Sequence, residues 1–73
     1  MGTKHDDSCL TKAKDDEPIF VLRASDVLAP SAVRDWAACA ESLGVSAAKV
    51  REARALADRM VVWQEINGAK IPD

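Results

Sequence analysis

The chain has 73 residues, of which 48% are apolar and 30% charged, with a formal net charge of −2. That size holds one domain, and the composition is that of a foldable chain. The absence of a basic excess argues against a partner recognised chiefly through phosphate charge. In a domain this small the hydrophobic gain and the lost conformational entropy are of similar size, so a disulfide, a metal or a partner chain is usually needed.

Residues 1–17 read as an acidic tail, with Lys4, Lys12 and Lys14 against Asp6, Asp7, Asp15, Asp16 and Glu17. It offers little to bury beyond Cys9 and Leu10, and is expected to be mobile and dispensable for folding. No apolar signal core is present, and Asp6 breaks the N-myristoylation pattern. The longest apolar run is five residues, Trp36–Ala40, far short of a membrane span, so a cytoplasmic location is expected. His5 is the single histidine and has no partner at zinc-finger spacing. Cys9 and Cys39 do not form a disulfide framework, and Cys39 is expected to be a buried or boundary thiol. No metal, cofactor or membrane partner is expected.

Residues 18–73 are expected to form a single strand–helix–turn–helix domain of mainly α class. Ile19-Phe20-Val21-Leu22-Arg23 is β-branched and aromatic, bounded by Pro18 and by Ser25-Asp26, the pattern of a short strand. Asp26 is placed to cap a brief turn. Pro30 suits the start of a first helix over about 30–43, with Val33, Trp36, Ala37, Ala40 and Leu43 on one face. Gly44 ends it as a left-handed residue, and Ser46 caps a second helix over about 47–66. That helix carries Val50, Ala53, Leu56, Ala57, Met60, Val61 and Trp63, a stripe wider than one neighbouring helix needs. Arg54 and Asp58 are spaced for a pair along the helix, while Val62 falls on the polar side with no evident partner in the chain. Asn67-Gly68 is the stop.

The chain thus holds one strand-like segment and no second one. The expectation is a homodimer in which the strand pairs antiparallel with its own copy across a two-fold axis, one face laid on helices. Phe20, Val21, Leu22, Leu56 and Met60 are the candidate dimer interface, with Phe20 and Leu22 facing the helices. Trp36 and Trp63 read first as core fillers. Trp63 with Arg59 and Val62 also reads as a candidate partner-binding patch, since tryptophan and arginine are enriched at interfaces, and the same patch could equally be the dimer seam.

No phosphate-binding glycine loop, nucleophile elbow or HExxH motif is present, so no enzymatic activity is expected. A helix, a glycine turn and a helix raise a second reading, a small helix-turn-helix DNA-binding transcription regulator. Against it, the second helix carries one net positive charge: Lys49, Arg51, Arg54 and Arg59 against Glu52, Asp58 and Glu65.

The stretch Glu17-Pro-Ile-Phe-Val-Leu-Arg-Ala-Ser-Asp26, the Leu28-Ala-Pro30 turn with Val33 and Trp36-Ala37, the segment Val50–Met60 with Trp63, and the closing Lys70-Ile-Pro-Asp73 together resemble a family of small early proteins of bacterial viruses. Its best understood type is an anti-activator that binds a LuxR-type quorum-sensing regulator and also engages the type IV pilus assembly ATPase. The resemblance spans roughly 17–73. It implies a largely helical homodimer without catalytic activity that binds and inhibits a host bacterial protein, blocking a transcription activator's access to DNA. No partner-contacting residue of the family is carried over to a position here.

Overall fold

The computed structural model describes residues 12–72. Their architecture is a hairpin of two packed helices, α1 (Ala29–Ser42) and α2 (Ala47–Asn67). The expectations for His5, Cys9 and most of the acidic tail lie outside the described residues.

Local chemistry fixes both helix ends. The Asp26 side chain accepts a 2.7 Å hydrogen bond from the Leu28 amide, and the Ala29 amide donates to the Asp26 carbonyl at 3.0 Å. This Asx turn aims the chain into α1, where Pro30 occupies the first turn and its missing N–H costs nothing. At the other end Gly44 adopts φ +83°. Its amide donates to the Glu41 carbonyl and the Val45 amide reaches back to the Ala40 carbonyl, the paired bonds of a Schellman motif. Ser46 Oγ then accepts from the Lys49 amide as the N-cap of α2. Gly68, at φ +86°, closes α2, and the Asn67 side chain donates to the Trp63 carbonyl.

The core between the helices is made of small side chains. Ala37 and Ala40 of α1 meet Val50 and Ala53 of α2, with Val33 packed alongside. Ala29, Ala57 and Met60 are also buried. Alanine at a helix contact permits the short end of the usual interaxial range of roughly 8–10 Å. Each alanine methyl contributes only about 0.8 kcal/mol of burial, so this contact is close but weakly driven.

Charge sets the register of the hairpin. Arg34 Nη2 donates to Asp58 Oδ1 at 2.9 Å, and Arg54 grips both carboxylate oxygens of Glu41 at 3.2 and 3.4 Å. The expected Arg54–Asp58 pair along α2 is therefore replaced by two pairs between helices. Each side chain finds its counter-charge on the neighbour because the antiparallel packing brings the flank of α1 within reach. The hydrogen bond and charge of Arg54 hold the Glu41 carboxyl below the usual carboxylate range. Its contribution to folding is thus present above the ordinary carboxylate pKa and is lost as pH falls through the lowered value. Both pairs are exposed, and they define geometry more than they add stability.

The strand expected at Ile19–Arg23 is not found among the described residues. These positions carry no regular secondary structure, and Phe20, assigned to the helix-facing side, is 85% exposed. Of the four apolar residues only Leu22 is half-buried. The pairing that does exist lies just downstream and within the chain. Asp26 and Lys70 form an isolated parallel bridge, with the Val27 amide donating to the Lys70 carbonyl and the Lys70 amide to the Ser25 carbonyl.

Gln64 anchors that bridge to α2. Its side-chain amide donates to the carbonyls of Ala24 and Asp26, both at 2.9 Å. Gln64→Leu keeps the bulk and removes both donors, leaving a part-buried carbonyl short of a partner. The expected cost is about 1–3 kcal/mol. It should be local: hydrogen exchange at the Val27 and Lys70 amides should speed up, with little change along α1. Unchanged exchange at these two amides would show that the bridge does not depend on Gln64.

Candidate interaction surface

The sequence-derived candidates separate into three environments. Met60 is buried inside the chain, so its side chain is not available to a dimer partner, contrary to expectation. It lies on the same side of α2 as Val50, Ala53 and Ala57, which face α1. Leu56 sits half-buried at the edge of that stripe. Phe20 and Val21 are exposed, ahead of the Asx turn and away from any ladder.

Arg59, Val62 and Trp63 fall together. With Asp58 and Ile66 they line an open groove of about 390 Å³ along the second half of α2. Val62 comes nine residues after Ala53 and Ile66 nine after Ala57, about two and a half turns in each case. Both therefore point away from α1, and they are 53% and 78% exposed. Trp63 is 42% exposed at the edge between this outer face and the core stripe. Helix α2 is consequently apolar on two sides: one packs α1, the other faces outward.

Ile66 was not among the sequence candidates. The signal was present, because Ile66 follows Val62 by four residues and Arg59 by seven, and so repeats on the same face. Cys39 departs from expectation as well, being exposed. Ala37 and Ala40 take the positions facing α2, which turns Cys39 outward.

Among the described residues no group of histidine, cysteine, aspartate and glutamate side chains is arranged to hold a metal ion. No described helix is long and apolar enough to cross a membrane. Comparison of the chain with family models, with curated proteins and with solved structures returns no match.

Proposed function

We propose that this is a non-enzymatic protein-binding module, a homodimer that binds and inhibits a host bacterial protein. The observation that carries this reading is the outward apolar face of α2. Val62 and Ile66, with Trp63 at their edge, stand beside Arg59 in a chain whose own core is mostly alanine. An apolar strip with an aromatic anchor and an arginine has the composition of a protein interface. The sequence resemblance names the target class, a LuxR-type transcription activator whose DNA-binding module would be covered, with a pilus assembly ATPase as a further target.

The helix-turn-helix alternative is less well supported. A reading helix needs free cationic side chains. Here Arg34 and Arg54 are committed to Asp58 and Glu41.

One gel-shift experiment separates the two. A purified LuxR-type regulator is bound to its operator fragment, and the protein is added. The expected result is loss of the shifted operator, with no shift by the protein alone, and a loss of potency of at least tenfold for Trp63→Ala. A regulator–operator complex untouched by excess protein overturns the proposed target, and a salt-sensitive shift by the protein alone favours the DNA-binding reading.

The antiparallel pairing of Ile19–Arg23 with its copy is a narrower proposal about the dimer. A proline cannot donate to a ladder, so Val21→Pro abolishes a dimer held by that strand and spares one held by helices. Sedimentation equilibrium at micromolar concentration reads the difference.

A further inference from the structure

We infer that the homodimer closes as a four-helix bundle, each hairpin laying on its copy the face that carries Trp36, Cys39 and Leu56. This deepens the homodimer part of the proposed function and rests on it. Arg59, Val62 and Ile66 point away from that face, so the strip assigned to a target stays open in each protomer.

The ion pairs locate the face. At 3.6 residues per turn, Arg34 and Glu41 lie to one side of the core stripe of α1, and Arg54 and Asp58 to one side of that of α2. Ala32, Trp36, Cys39 and Leu43 fall to the other side on α1, as Leu56 does on α2. Because the helices run antiparallel, these other sides share one face of the hairpin, opposite the ion pairs. It is an open face: Trp36 is 46% and Leu43 85% exposed, Ala32 and Cys39 are exposed, and Leu56 is half-buried.

The pattern on α1 fits itself. The steps from Ala32 to Trp36, Cys39 and Leu43 alternate in the manner that keeps one line of side chains against a neighbouring helix, and they read the same from either end. A two-fold axis perpendicular to α1 between Ala37 and Ala38 therefore carries the line onto its own reverse. Trp36 then meets the partner's Cys39 and Ala32 meets the partner's Leu43, each twice by symmetry. Large faces small at every contact, which is how facing helices interdigitate. A parallel pair would stack tryptophan on tryptophan and leave the alanines apart.

Helix α2 agrees on where the axis falls. The ion pairs set Arg34 level with Asp58 and Glu41 level with Arg54. The point between Ala37 and Ala38 is then level with Leu56, so the same axis brings Leu56 onto its own copy. Side-chain size along α1 and the register of α2 thus give one axis independently, and a second copy of this chain is the occupant that satisfies both. Two hairpins stacked in this way form an antiparallel four-helix bundle, and their alanine-lined contacts gain a larger apolar centre. Trp63 stays at the margin between the seam and the outward strip.

Disulfide trapping tests the register in a Cys9→Ser, Cys39→Ser background, because a disulfide needs Cα atoms within about 7 Å. Ala32→Cys and Leu43→Cys should cross-link on mild oxidation when mixed but not singly, since the two positions lie about 16 Å apart along the helix. Val62→Cys, on the outer face of α2, should not cross-link. Trp36→Asp, at a position half-exposed in the single chain, should keep its helical circular dichroism while its dimer dissociation constant rises at least tenfold in sedimentation equilibrium. Ile66→Asp should leave that constant unchanged. Single-variant cross-linking at both Ala32→Cys and Leu43→Cys means a parallel seam and overturns the inference. A stable dimer that gives no mixed cross-link, or that weakens with Ile66→Asp and not with Trp36→Asp, places the seam elsewhere and overturns it too, leaving the homodimer reading intact. A wild-type chain that sediments as a monomer removes both.

Discussion

Met60→Ala should lower the unfolding free energy by about 2–5 kcal/mol, the usual range for truncating a buried long side chain. Met60 is only 7% exposed and, among the described residues, is the one long buried side chain beside buried alanines, a proline and a valine. Truncation removes the transfer term and leaves a cavity that the surrounding structure closes only in part. For a domain of 73 residues, total stability at about 0.05–0.15 kcal/mol per residue is roughly 4–11 kcal/mol. The loss is thus a large share of the whole. Urea unfolding should show a lower midpoint with an unchanged slope, and Met60→Leu, which conserves volume, should recover to within about 1.5 kcal/mol of wild type. A midpoint unmoved by Met60→Ala would mean that this side chain is not part of the core.

Ala53→Leu should be damaging for the opposite reason. Ala53 is fully buried between the helices, in one cluster with Ala37, Ala40 and Val50. Added methylenes have nowhere to go except by separating α1 from α2, at about 1–3 kcal/mol and occasionally more. Separation would also pull Arg34 from Asp58 and Arg54 from Glu41, so the damage should extend beyond the substituted site. Ala38→Leu makes the same chemical change on the exposed side of α1 and should stay within about 0.5 kcal/mol of wild type. Thermal melts of the two variants provide the comparison. Equal melting temperatures would mean that the helices are not packed through Ala53.

The boundaries of both helices could be read from the chain because they are written in residues with local conformational preferences. Pro30 fits the first turn of α1, Gly44 and Gly68 take the positive φ their positions require, and Ser46 bonds within three residues of itself. The alanine-rich contact was legible too, since Ala37, Ala40, Val50, Ala53 and Ala57 recur at helical spacing. The candidate surface was legible in part. Arg59, Val62 and Trp63 do fall together, and Ile66 completes the groove.

Other features depend on elements distant in sequence. Whether Arg54 answers Asp58 on its own helix or Glu41 on the other depends on how the hairpin closes, and helix spacing carries no information about that. The spacing of Met60 fits a core-facing position and an interface position alike; only the packed structure puts it inside. Gln64 looks like an ordinary polar residue until residues 24–27 cross its helix.

The strand-like segment shows the same division most clearly. A β-branched run states a preference for extended backbone, but a strand exists only where a second backbone offers donors and acceptors. Within the described residues that partner is the Lys70 backbone, and it takes up Ser25 and Val27, downstream of the apolar run. The sequence by itself thus determined where the helices begin and end and which residues carry their apolar faces, because those are interactions within a few residues. Tertiary structure alone decided the ion-pair partners, the burial of Met60 and the destination of the N-terminal segment, because each depends on which distant backbone or charge the hairpin brings near.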